Sequence, residues 1–334
     1  MCSGESRQLP AASYSKSRPA PQAAAVRQRG PIWQDCARSR PCGPRIDLHR
    51  VAEYKKGMET QQDNASDAHD IREYLDIKSH RNWFMAYATA QCAKEEKRQH
   101  GDVAPMLLKL RHSLAVLGNA ESIVAGEDFS PPLGRVCLLA ALYHDVGRFE
   151  QYLRYHTFKD SESCDHGQLG VRILKRECRL IDEDTATRKA VMAAVGLHNR
   201  FALPQGLPEV VAVAAHVVRD ADKLDILRVM DEHLSGPAPY NPTVVLSLPD
   251  TPGLCSKAIL AAAGENRVAA YADLRSVNDF RVLLGTWFFD MHFASSRNQF
   301  VEDGHARNLL LGLPADAPYG EVRQIMLEKT SGRA

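Results

Sequence analysis

From about residue 67 onward, apolar side chains return every three or four positions, the period of helices that bury one face. The first such stretch carries Ile71, Tyr74 and Leu75, then Trp83, Phe84 and Tyr87, and reads as packing material. The spacing predicts a helix over about 105–126, with His112 on one stripe with Leu108, Ala115, Val116 and Ile123. Pro131 and Pro132 are expected to break the chain, and Leu133 to begin a nearly all-apolar helix running through Leu138, Leu139 and Leu142 into His144 and Asp145. Gly147 is expected to end that helix in the left-handed conformation, and Phe149 to Cys164 to form a polar, aromatic loop. Asp165 with Gln168 three residues on reads as a capping box opening a helix at His166, whose buried face carries His166, Leu169, Gly170, Ile173 and Leu174.

Two further helices are predicted before the pattern changes. One, about 184–198, aligns Val191, Ala194, Val195 and His198. The other, about 208–231, aligns Ala215, Val218, Asp222, Asp225, Ile226 and Val229, while Asp220 falls about 200° around the helix from Asp222. Gly236, Pro237, Pro239, Pro242, Pro249, Pro252 and Gly253 then mark a long irregular connection over 236–254, of a length that suits a flap or a partner contact. Helices resume near 276–296, where Leu283, Leu284, Trp287, Phe288 and Met291 form a stripe that reads as core.

Polar groups on these apolar faces raise the question of chemistry. A carboxylate taken out of water costs several kcal/mol unless compensated, so His144-Asp145 at the end of a buried helix needs a partner. A metal cation is the strongest such partner, and a buried His–Asp hydrogen bond capping the helix stands beside it as the structural alternative. Each histidine alone is read as a satisfied core residue. Together, His112, His144, Asp145, His166, His198 and Asp222 fall on inward faces or ends of successive helices, and imidazole with carboxylate suits iron, manganese, zinc or nickel.

Composition narrows the class. Of 334 residues, 44% are apolar, as in an ordinary water-soluble globule of one or two domains. The net charge of +1 gives no argument for nucleic acid or membrane as a partner. It hides an asymmetry: residues 1–57 hold 11 Lys and Arg against 4 Asp and Glu, a net +7, which leaves −6 on the rest. That segment, with Pro10, Pro19, Pro21, Pro31, Pro41 and Pro44 and no period, is expected to be a disordered basic arm, and Met58 is a candidate natural start. Eight cysteines without C-x-x-C spacing suit reduced thiols, and no membrane span or secretory leader is read, so the expected location is the cytoplasm. The expected organisation is 1–57 arm, 58–104 N-terminal helical segment, 105–232 metal-binding core and 233–334 C-terminal helical extension.

The strings Tyr143-His-Asp-Val-Gly-Arg148 and Arg219-Asp-Ala-Asp-Lys-Leu-Asp225, with His112, His166 and His198 at their intervals, resemble the HD superfamily over roughly residues 105–230. The resemblance implies an all-α, phosphodiesterase-like helical bundle, here with extra C-terminal helices. It implies a first metal held by His112, His144, Asp145 and Asp222, with Asp145 bridging to a second metal on His166 and His198 in dinuclear members. Asp220 and Asp225 are then supporting groups. The chain departs from the HD-GYP branch, which has His-His-Glu where this sequence reads His198-Asn199-Arg200 and a GYP string absent here. The Lys that often follows the His-Asp pair is Arg148.

The expected activity is that of a metal-dependent phosphohydrolase acting on a nucleotide-like or other small phosphorylated substrate, with one or two divalent ions of Fe, Mn, Zn, Ni, Co or Mg. Metal-activated water serves as nucleophile. Asp145, Arg148, Lys159 and Asp225 are the catalytic candidates. Arg148, Lys159 and Lys223 are candidate phosphate contacts, and His156 or Asp225 a candidate acid or base. The same ligand set resembles that of the mixed-valent di-iron oxygenases related to inositol oxygenase, and a non-catalytic HD binding module is the third reading.

Overall fold

Asp165, Asp184, Ser256 and Ser276 each start a helix with a side-chain oxygen that accepts an otherwise unpaired backbone N–H. The computed structural model describes residues 76–240 and 244–331, and the arm 1–57, Met58 and the stretch 67–75 lie outside them. The N-terminal part runs α1 (Lys78–Glu96), α2 (Ala104–Gly126), α3 (Pro131–Tyr143), α4 (Val146–Tyr155), α5 (His166–Arg176), α6 (Thr185–Leu197) and α7 (Glu209–Leu234). The C-terminal part adds α8 (Lys257–Gly264), α9 (Val277–Thr286), α10 (Ala294–Glu302), α11 (His305–Leu311) and α12 (Gly320–Lys329). No strand occurs among the described residues, so the protein is all-α as predicted.

Caps explain several boundaries. Asp165 Oδ1 accepts the N–H of Gln168 at 3.0 Å and starts α5, while the Gln168 amide donates to Gly196 O instead of closing the box. Asp184 Oδ1 starts α6 by accepting the N–H groups of Ala186 and Thr187 at 2.8 and 3.1 Å.

Three local expectations are corrected. Pro131 and Pro132 do not interrupt the chain before a helix at Leu133 but occupy the first turn of α3, where the missing N–H has no intrahelical partner to lose. Gly147 does not end a helix in the left-handed conformation. It lies inside α4, where a Cβ would meet His166 O at 2.1 Å and Gly170 N at 2.8 Å, so glycine here lets α4 and α5 touch backbone to backbone. Phe149 to Cys164 is therefore not one loop: α4 takes it as far as Tyr155, burying Phe149, Gln151 and Leu153, and His156 closes it with φ 52°. Over 276–296, where helices were expected to resume, α9 runs to Thr286, a 3-10 turn spans Trp287–Asp290 and α10 begins at Ala294.

At the centre lies α3, buried along Val136 to Tyr143 and packed against α2, α6 and α7. Burying each of its leucines contributes roughly 1.5–3 kcal/mol. Helices α4 and α5 pair beside it, and α10 and α11 pack on α7 from the C-terminal part. Arg281 of α9 is 4% exposed and donates to Leu234 O at 2.8 Å, the last carbonyl of α7. A buried guanidinium with no carboxylate partner among the described residues is tolerated there because helix C-terminal carbonyls carry partial negative charge. No helix among the described residues is long and apolar enough to cross a membrane.

Candidate metal centre

The inner face of the bundle gathers four imidazoles and two carboxylates from five helices. His112 projects from α2, His144 and Asp145 stand at the junction of α3 and α4, His166 opens α5, His198 closes α6 and Asp222 lies on α7. They fall into two groups, His112 with His144 and Asp222, and Asp145 with His166 and His198.

Every imidazole in the site has its Nδ1 occupied. His112 Nδ1 is 2.6 Å from Asp225 Oδ2, and His166 Nδ1 is 2.6 Å from Asp160 Oδ2. His144 and His198 lie 2.7 and 2.8 Å from the carbonyls of Ala141 and Val195, each three residues back on its own helix. Those acceptors require Nδ1 to carry a proton, so in the neutral ring Nε2 is the lone pair and is turned to the centre.

The inward atoms are close. His112 Nε2 is 3.0 Å from Asp222 Oδ1, and His144 Nε2 is 3.9 Å from the same oxygen. The Asp145 carboxylate stands between the groups: Oδ2 lies 3.7 Å from His112 Nε2 and 3.5 Å from His144 Nε2, while Oδ1 lies 3.4 Å from His166 Nε2 and 4.0 Å from His198 Nε2.

Two observations show that these residues fit a cation. His144 Nε2 is buried with no hydrogen-bond partner among the described residues, and His112 Nε2 is turned to carboxylate oxygens of Asp222 at 3.0 Å and Asp145 at 3.7 Å. The Nε2 atoms of His166 and His198 face one another at 3.0 Å, two lone pairs that repel unless a positive centre lies beside them.

The surroundings shift these groups in different directions. Burial pulls His198 down to about 3, helped by His166 and His144, so its ring is neutral at pH 7. Burial and Arg148 likewise lower His166 against the pull of Asp160. His112 moves the other way: burial and Lys109 oppose its protonation, but Asp222 and Asp225 outweigh them. Burial pushes Asp145 up, yet Lys109, His144 and Arg148 hold it well below the usual carboxylate range. Burial also opposes ionisation of Asp222, which His112 and His144 restore.

The site opens on one side. Ligand-group side chains are 0–4% exposed except Asp222 at 24%, and Lys109 beside Asp145 is 21% exposed. Tyr271, in the segment between α8 and α9, is near enough to Asp222 to feel its charge. Half its surface is in solvent, but burial of its hydroxyl and the charge of Asp222 push the phenol up.

The other candidate residues lie as follows. Arg148 donates from Nε to Asp145 Oδ1 at 3.3 Å and from Nη1 to Gln151 and Asp160 at 2.9 Å each, tying the carboxylate to the loop that orients His166. Asp225 accepts from Arg228 as well as His112, so both its oxygens are engaged. Lys159 is exposed and pairs with Glu162 at 3.1 Å. Lys223 pairs with Asp290, and His156 faces Glu95 and Arg98. Asp220 turns from the centre and accepts the N–H groups of His292 and Phe293 at 2.9 and 3.1 Å.

Three contributors are absent from the sequence-based candidates. Lys109 Nζ lies 2.8 Å from Asp145 Oδ2, one helical turn before His112, and that i, i+3 relation was the available signal. Asp160 gathers Arg148, Gln151, His166 and Asn199. Arg219 donates to the carbonyls of His198, Arg200 and Phe201, fixing the turn that carries His198.

Residues 110–227 match the HD domain family model, and the two ligand groups lie within that stretch. The chain thus carries an HD domain, with a His/Asp cluster compatible with the metal site of that family. No curated protein and no solved structure matches the chain.

Proposed function

We propose that this protein is a dinuclear, metal-dependent phosphohydrolase acting on a nucleotide-like or other small phosphorylated substrate. The observation that carries the reading is the Asp145 carboxylate, with Oδ2 turned to His112 and His144 and Oδ1 to His166 and His198. A carboxylate between two sets of free imidazole lone pairs suits a bridge between two cations. His112, His144, Asp222 and Asp145 Oδ2 would hold the first metal, and Asp145 Oδ1, His166 and His198 the second.

Bound there, divalent metal supplies water of lowered pKa and Lewis-acid polarisation of the phosphoryl oxygens. The chain's own part is preparation. Asp225 and Asp160 fix the His112 and His166 rings through Nδ1, as carboxylates commonly do for metal-binding histidines. Neutral His198 carries no proton that must be expelled at pH 7. Of the three sequence-named cations Arg148 is the one that touches Asp145, and its place beside that carboxylate makes it the phosphate contact assigned.

The test is hydrolysis of a panel of nucleotides, phosphomonoesters and phosphodiesters by protein loaded anaerobically with Mn, Zn, Co, Ni, Mg or Fe. Turnover should appear with at least one metal and fall by at least about 100-fold in Asp145→Asn, which removes the bridging charge. No hydrolysis under any loading, with dioxygen consumption by the iron form, would replace this reading by the di-iron oxygenase one.

A further inference from the structure

Lys109 stands one residue before the stretch matched by the family model. Its ammonium lies 2.8 Å from Asp145 Oδ2, the oxygen that also faces His112 and His144. Arg148 holds the other oxygen of the same carboxylate. The ring of Phe158 lies under both cations, 5.8 Å from Lys109 Nζ and 5.9 Å from the Arg148 guanidinium carbon. Lys109, at 21% exposed, is also at the open side of the site, whereas Asp145 is 3% exposed.

We propose that Lys109 is a placeholder cation that becomes an anion contact: it neutralises Asp145 in the metal-free protein and, once metal is bound, recognises the phosphoryl group of the substrate. This rests on the metal centre proposed above. Lys109 and Arg148 are the two cations that face the Asp145 carboxylate, one on each oxygen, and they are the partners it has without metal among the described residues. A dication arriving on Asp145 Oδ2 competes with the ammonium for the same lone pairs and repels it. The ammonium sits on a flexible four-carbon stem at the solvent-facing side, so it can leave the carboxylate without leaving the mouth. There it faces the direction from which a phosphate must enter, with the Phe158 ring beside it to favour a cation.

The two roles give effects of opposite sign in one variant, which loss of folding cannot imitate. In Lys109→Gln, titration of the metal-free protein with Mn²⁺ should show tighter binding by about tenfold, because a competing ion pair is gone. Titration of the Mn²⁺-loaded variant with inorganic phosphate should show binding weakened by about tenfold, because a charge-assisted contact is gone. Lys109→Arg should keep phosphate affinity within about threefold of the parent. Weaker Mn²⁺ binding in Lys109→Gln would overturn the proposal and make Lys109 a residue that merely orients Asp145. Unchanged Mn²⁺ or phosphate affinity would also overturn it while leaving the metal centre standing. Failure of the parent protein to bind Mn²⁺ at all would remove the metal centre and this proposal with it.

Discussion

His112 and Asp225 lie on different helices, yet Nδ1 of one and Oδ2 of the other are only 2.6 Å apart, both groups buried. The contact joins α2 to α7 and fixes which nitrogen of His112 faces the centre. Asp225→Asn offers the ring an amide in place of a carboxylate, making the imidazole less basic and less firmly held. Metal affinity should fall by about 10–100-fold while the melting curve of the metal-free protein shows a single transition. Unchanged affinity by metal titration would show that the pair is structural only.

Gly147 predicts a mutation that acts through backbone alone. The nearest atoms to an added Cβ are His166 O and Gly170 N, neither of which can rotate away. Gly147→Ala should force α4 from α5, destabilise the protein by about 1–3 kcal/mol in urea unfolding, and lower metal content at the His166 and His198 side. Stability within about 0.5 kcal/mol of the parent would mean that the two helices separate freely.

Asp220 separates charge from hydrogen bonding. Its Oδ2 accepts from the backbone of His292 and Phe293, and burial pushes the carboxyl up. Asp220→Asn retains an acceptor and should be nearly neutral for stability. Asp220→Ala strands both N–H groups and should cost about 1–3 kcal/mol. Equal losses in the two variants, measured by denaturant unfolding, would show that the carboxylate charge itself matters.

The six groups of the candidate site were legible because each lies on a helical stripe or at a helix end, and helical periodicity is local information. Much of what surrounds them was not. Lys109 shares the His112 face, but a lysine on a helix reads as a solvated charge until Asp145 is placed against it from another helix. Asp160 sits in a polar loop whose distinction lies in what it meets in space, His166 and Arg148. Gly147 carried two meanings, helix terminator or close helix contact, and the dipeptide Val-Gly does not distinguish them. The hidden α4 follows from the same error, since ending a helix at Gly147 turns Phe149–Tyr155 into loop. At the C-terminal end the apolar stripe does not mark where α9 stops, because Trp287 and Met291, beyond Thr286, are buried as well.

His80 gives a pH dependence whose sign follows from its surroundings. The ring lies between the Tyr143 hydroxyl at 2.9 Å and Glu183 at 3.0 Å, and burial together with Arg179 pulls its pKa from 6.5 to about 4. Between those values the unfolded chain binds a proton that the folded one does not. The contribution of the neutral ring to stability is therefore complete above about pH 6.5 and is lost as pH falls towards about 4. In metal-free protein, His80→Gln should flatten the fall of unfolding free energy over that interval. The same slope in parent and variant would contradict the assignment.

The bridging role proposed for Asp145 is tested most directly by counting metal. Protein purified without oxygen should hold two metal ions per chain by elemental analysis, falling to about one in His198→Ala, whose loss empties only the side facing Asp145 Oδ1. One metal per chain in both proteins would contradict a dinuclear centre.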